Sequence, residues 1–189
     1  MYYHASQTAD IKVLEPRVSN HNRPLIYMST KRENVLVYLS NAIEKCCREN
    51  GFAHEGKWHK WGPYSFTKEG LLCLEEYYPN ALEDTYKGVS AYIYYSEKMP
   101  SVVEDIQISN AVATTEPVPV DGYELVEDAY AEILKAAEAG LIKLVRYEEQ
   151  TEKKLNWIQN IMKSEYDGAA NEPEYRFFIE KKFPFVKQS

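Results

Sequence analysis

The sequence predicts an α+β protein, and three observations lead there. Strand-like and helix-like patterns are mixed without the regular strand–helix–strand alternation of a doubly wound sheet. Several strand patterns follow one another in the middle of the chain, and residues 124–189 read mostly as helix. The expected organisation is an α+β core over residues 1–123 with a helical region, 124–189, packed on it.

Tyr2-Tyr3-His4 reads as a short strand, and the polar stretch from Ala5 to Asn22, broken by Pro16, as a loop that touches the core through Ile11, Val13 and Leu14. Pro24 to Met28 predicts a second strand, bounded by Pro24 and by Ser29-Thr30. From Lys31 the spacing becomes helical. Ser29 or Thr30 caps the start with Glu33 in capping-box position, and Val35, Leu36, Leu39, Ala42, Ile43 and Cys46 form one apolar stripe that ends at Asn50-Gly51. Trp58 to Phe66, turning at Gly62-Pro63, reads as a hairpin, with a further strand over Leu71 to Leu74 and a short helix over Asn80 to Tyr86. Val89 to Tyr95 is the strongest strand pattern. Ile106 to Ser109 alternates as a strand, and Val118 to Val120 reads as an edge strand because of its prolines. Leu125 to Ala139 is a patterned helix closed by Gly140, and Leu141 to Tyr147 is either a strand or the start of the next helix. Thr151 to Tyr166 is amphipathic, with Leu155, Ile158, Ile161 and Met162 on one side; the tail from Glu174 to Val186 is a strand or a docked arm.

Composition excludes several function classes. A chain of 189 residues that is 44% hydrophobic and 27% charged can bury a core. Its 16 tyrosines outnumber 6 Phe and 3 Trp, which favours half-wet surfaces, since tyrosine covers apolar area while keeping a hydroxyl. A net charge of −7 argues against duplex DNA as a partner. It hides an uneven distribution: residues 1–35 carry five Lys and Arg against three carboxylates, a locally basic start suited to a small anion such as a nucleotide. No apolar run approaches a membrane span, no signal peptide is visible, and Cys46, Cys47 and Cys73 form no disulfide framework, so a cytoplasmic protein is expected.

Most chemical signatures are missing from the sequence. His54 and His59 have no third ligand at matching spacing, so no metal is expected. The 8 glycines make neither a dinucleotide-binding loop nor a P-loop, and Gly-x-Ser-x-Gly is absent. Glu75-Glu76 and Glu148-Glu149 are weak dyad candidates, because neighbouring positions point apart. Trp58-His59-Lys60-Trp61 is either a base-stacking surface or a hairpin with cross-strand aromatic pairing.

One constellation stands out. Tyr3-His4-Ala5-Ser6 is followed by Leu25-Ile26-Tyr27-Met28-Ser29, then by Tyr38 eleven residues after Tyr27. Over these first 40 residues the chain resembles the ADP-ribosyltransferase fold of the His-Tyr-Glu type, whose members begin with an aromatic-His-Gly-Ser/Thr strand, continue with a strand similar to Ile-Tyr-Phe-Ala and carry a second tyrosine on the next helix. The spacing between the tyrosines is similar to that of the poly(ADP-ribose) polymerase branch, and Ile11 to Pro16 looks like a loop of small bacterial and phage members.

The resemblance implies an NAD-binding site without a metal. His4 would hold the adenine-side ribose, Ala5 would offer its backbone where the family has glycine, Tyr27 and Ser29 would line the pocket, Tyr38 would stack on nicotinamide, and Arg17 or Arg23 would meet the pyrophosphate. The chemistry of these side chains suits that task, because an imidazole can bond a hydroxyl and two phenols can sandwich a flat cationic ring. The family's third residue, a glutamate opening a later strand, would fall on Asp105 or Gln107 according to register, while Glu104 or Glu116 would need a shift. A glutamine there orients a hydroxyl but brings no negative charge to an oxocarbenium-like centre. The implied function is binding of NAD or a related nucleotide, with ADP-ribosyl transfer to a protein or RNA acceptor. The alternative is a non-catalytic binding or regulatory protein that keeps the fold for a protein or RNA partner.

Overall fold

In the computed structural model, which describes residues 1–18, 23–104 and 108–187, the chain starts at once with strand β1 (Tyr2–Ser6). Short strands β2 (Val13–Leu14) and β3 (Arg17–Val18) precede β4 (Pro24–Ser29). A 3-10 segment, Arg32–Tyr38, leads to α1 (Ala42–Glu49). Then come β5 (Tyr64–Phe66), β6 (Leu72–Glu75), α2 (Ala81–Tyr86), β7 (Ala91–Ser96), β8 (Ala111–Thr114), β9 (Val118–Pro119) and β10 (Gly122–Val126). The chain closes with α3 (Ala129–Glu138), β11 (Lys143–Val145), α4 (Glu152–Gly168) and α5 (Pro173–Lys182).

The architecture is α+β. The main sheet runs β10-β7-β1-β4-β3 with β8 also on β4, all antiparallel. A second sheet has the order β11-β6-β5, with β11 parallel to β6; β2 and β9 make a small third one. One core lies between the main sheet, the 32–38 segment, α2 and α3, where Leu36, Leu39, Ile93 and Ile133 are fully buried. A second core gathers α1, α4 and α5 around Trp61 and Phe178, and a small third one holds Leu14, Ile26, Met28 and Val118. No helix among the described residues is long and apolar enough to cross a membrane.

Several local expectations change. The apolar stripe from Val35 to Cys46 is split into a 3-10 segment and α1. Asn41 interrupts it: its amide bonds the Thr85 carbonyl (3.4 Å) instead of continuing the helix. Trp58 to Trp61 is not a strand; only Tyr64–Phe66 pairs with Leu72–Glu75. Instead His59 stacks on Tyr175 (4.0 Å, 3°) and Trp61 enters the second core, so aromatic packing has overridden strand propensity. Leu125 and Val126 belong to β10, and the helix begins only after Asp128, whose carboxylate accepts the Ala131 amide (2.9 Å). Leu141 to Tyr147 resolves into strand β11. The tail is helix α5, started by Pro173 and buried through Tyr175, Phe178 and Ile179. Of the expected strand at 106–109, residues 106 and 107 lie outside the described residues, Ile108 and Ser109 are not strand, and the strand that follows is Ala111–Thr114.

Candidate functional site

The site begins where two strands part. Only one pair, Tyr3 with Ser29, registers β1 against β4, whereas β1 keeps five registered pairs with β7 on its other edge. Tyr3 and Ala5 pack on the first core and Tyr2 on the third. Alternation therefore turns His4 to the opposite face from Ala5. Ala5 has no positive φ, so the position that is glycine in the resembling family accepts a side chain without strain.

His4 crosses the gap between the strands. Its Nδ1 lies 2.9 Å from the Tyr27 carbonyl oxygen. A carbonyl only accepts, so Nδ1 must carry the proton and Nε2 is the free nitrogen. Nε2 makes no hydrogen bond among the described residues. Burial lowers the imidazole pKa below 6.5; the Tyr27 carbonyl opposes this and the nearby positive charge of Arg17 adds to it. At neutral pH the ring is uncharged, with an Nε2 lone pair ready to accept a hydroxyl proton.

That shift has a testable sign. The native state binds the proton less readily than the unfolded chain, so stability rises with pH across the window just below 6.5. Wild type is expected to lose stability as the pH falls from about 7 to about 5 more steeply than His4→Gln, in urea unfolding at several pH values. Parallel curves would show that His4 is not held neutral.

Tyr38 ends the 32–38 segment with 49% of its surface exposed. Its phenol pKa is nonetheless raised, first by burial, then by a hydrogen bond with Tyr64 and by the neighbouring Tyr64 and Tyr27 hydroxyls. Tyr27, eleven residues before Tyr38 in sequence, is near enough for its hydroxyl to be felt there. The loop after Tyr38 is tied from two sides, since the Ser40 carbonyl accepts from Gln7 Nε2 (3.3 Å) and Lys60 Nζ (3.1 Å). The same segment buries Asn34 (6% exposed), neither of whose amide atoms finds a partner among the described residues.

The other predicted site residues fare differently. Arg17 sits exposed on β3, opposite Leu25 of β4, with its charge felt at His4. The Ser29 hydroxyl is committed to the fold: it donates to the Asn110 carbonyl (3.1 Å) and accepts the Lys31 amide (3.0 Å). Asp105 and Gln107 lie outside the described residues. The described chain reaches Glu104, just past Val103, whose amide donates to the carbonyl of Ala113 opposite Tyr27 (2.8 Å). Among the described residues no carboxylate is bonded to His4 or Tyr38. Sequence reasoning missed Tyr64 and Asn34. Asn34 carried a faint signal, as a polar residue between Glu33 and an apolar stripe, while Tyr64 had only its place after a Gly-Pro turn.

The arrangement can accept a hydroxyl at His4, stack a planar ring on Tyr38 and attract an anion through Arg17. Compared with family models, curated proteins and solved structures, the chain finds no match.

Proposed function

We propose that this chain has an ADP-ribosyltransferase-like core and binds NAD or a closely related nucleotide between β1 and β4. The observation that carries the reading is the His4 tether. A half-buried neutral imidazole is held by Nδ1 on the Tyr27 carbonyl, with Nε2 left without a hydrogen bond among the described residues. A ribose hydroxyl is the ligand group that such a nitrogen accepts. Tyr38 offers the stacking face for nicotinamide, Tyr27 lines the same pocket, the Ala5 backbone lies on the parted strand, and Arg17 supplies positive charge for the pyrophosphate.

As an enzyme the protein would break the nicotinamide–ribose bond and pass ADP-ribose to a protein or RNA acceptor. Asp105 at the third position would supply the negative charge that the developing oxocarbenium needs; Gln107 would only orient a hydroxyl. A pocket without that charge binds the nucleotide and does not turn it over, which is the regulatory alternative.

Thermal unfolding tests the reading. NAD at about a hundred times its Kd is expected to raise the wild-type Tm by about 5–10 °C, and Tyr38→Ala to lose most of that rise. Wild-type Tm unmoved at millimolar NAD would sink the proposal. Release of nicotinamide by wild type but not Asp105→Asn would assign transfer chemistry, and binding without release would assign the regulatory role.

A further inference from the structure

We infer that Tyr64 is a ring-binding residue of this site, closing a corner with Tyr38 that takes the edge of a planar heterocycle stacked there; the inference deepens the nucleotide reading and rests on it. Tyr64 comes from the second sheet, not from the strands that carry His4 and Tyr27. Its ring stands nearly perpendicular to that of Tyr38, with centroids 6.4 Å apart and an interplanar angle of 76°. Both rings keep open surface, 49% for Tyr38 and 38% for Tyr64. Two phenols at right angles make a corner: one ring offers its face to a flat ligand and the other meets the ligand's rim. Edge-to-face contact at such spacing is the favourable geometry for aromatic groups. Phe66 backs Tyr64 in turn, edge-on at 6.0 Å and 90°, so the wall does not swing freely.

The position of Tyr64 is built, and the builder is Gly62. A Cβ on Gly62 would fall 2.8 Å from the Tyr86 hydroxyl and 3.5 Å from the Val37 carbonyl oxygen. That hydroxyl itself donates to the Val37 carbonyl (3.2 Å), one residue before Tyr38. The turn into β5 is therefore pressed against the backbone that presents Tyr38. The Pro63 carbonyl then accepts the Glu75 amide (3.2 Å), and the register of Tyr64 with Leu74 fixes the strand. Three separate contacts thus set the distance between the two phenols, although one ends a 3-10 segment, the other opens a strand of the second sheet, and they stand 26 positions apart in sequence. A tyrosine that only filled surface would not need its turn held this closely.

The test uses NAD and nicotinamide as probes, with binding followed by calorimetry and by aromatic NMR shifts of Tyr38 and Tyr64. Tyr64→Ala is expected to weaken NAD binding by roughly three- to tenfold, and Tyr64→Phe, which keeps the ring, by less than about twofold. Gly62→Ala is expected to weaken binding with Tyr64 intact, because it displaces the wall. Unchanged affinity in Tyr64→Ala, with wild type binding NAD normally, overturns the role of Tyr64 and leaves the nucleotide reading in place. Wild type that ignores NAD but shows nicotinamide shifts at both rings supports the corner and removes the dinucleotide. Wild type that responds to neither probe overturns both.

Discussion

Glu76→Ala is expected to lower the stability of the protein by about 3–5 kcal/mol, the cost of leaving one partner of a buried ion pair alone. Glu76 is only 1% exposed. Its Oε1 accepts from the Leu82 amide (3.0 Å) and from Arg146 Nη1 (3.2 Å), and its Oε2 accepts from the Tyr147 amide (3.1 Å). Its own carbonyl accepts from Gln150 Nε2 (3.3 Å), and its amide donates to the Val145 carbonyl (2.9 Å). One side chain thereby joins the start of α2 to the chain leaving β11. Glu76→Gln is expected to cost less, since it keeps the volume and one acceptor oxygen, yet its amide nitrogen must face a donor. The neighbouring Glu75 is the control. Its partner Lys154 (2.8 Å) is partly exposed, so Glu75→Ala is expected to cost less than about 1 kcal/mol. Urea midpoints of the three variants measure this, and equal midpoints for Glu75→Ala and Glu76→Ala would show that Glu76 is not the latch.

The second large effect is expected at Trp61, 8% exposed and packed against Tyr175, Phe178 and Phe183 at centroid distances of 6.4, 5.1 and 5.8 Å. It also meets Tyr77 edge-on at 6.1 Å. Trp61→Ala leaves a cavity where α5 meets the 52–63 loop and is expected to cost about 3–5 kcal/mol. Trp61→Phe behaves differently. The indole Nε1 is buried with no hydrogen-bond partner among the described residues, so removing the indole also removes an unsatisfied donor. Its expected cost is below about 1.5 kcal/mol, well under that of an ordinary Trp truncation. Calorimetric unfolding of the two variants separates the cases. A Phe variant as unstable as the Ala variant would mean that ring size, and not the orphan donor, dominates.

Local patterns foretold much of this fold. The strands expected at Tyr2 to His4, Pro24 to Met28 and Val89 to Tyr95 and the amphipathic helix from Thr151 to Tyr166 match Tyr2–Ser6, Pro24–Ser29, Ala91–Ser96 and Glu152–Gly168, each end within two residues. The reason is that a period of 2 or 3.6 residues reports burial by neighbouring residues. For the tail, aromatics alternating with charges predict a strand or a docked arm; it is instead a helix, because docking on α1 and α4 gathers its aromatics on one inner face. Glu75-Glu76 looked like any surface acidic pair. Only the return of the chain at Arg146, 70 residues later, makes one of them a buried ion.

The site divides in the same way. The resemblance singles out His4, Tyr27 and Tyr38 within the first 40 residues, and of these the structure joins His4 to the Tyr27 carbonyl, a contact that the order of two short strands makes readable. Tyr64 was not legible, because its placement depends on how closely Gly62 approaches Val37 and Tyr86, a contact between elements that no spacing encodes.

The single rung between Tyr3 and Ser29 has a mechanical consequence. β10, β7 and β1 form one leaf of the main sheet, and β4, β3 and β8 form the other. Among the described residues one registered pair and one imidazole tether are the hydrogen-bonded links across the seam, and Tyr2 of β1 packs over it on the core that holds Ile26 and Met28 of β4. Such a sheet resembles a book with a narrow spine, and any opening of its leaves is expected to turn about residues 3 and 29, where the ladder is thinnest. The nucleotide proposed above would join the pages and stiffen the whole volume, and the backbone on either side of the seam should be the first to lose its exchange protection when the spine is cut.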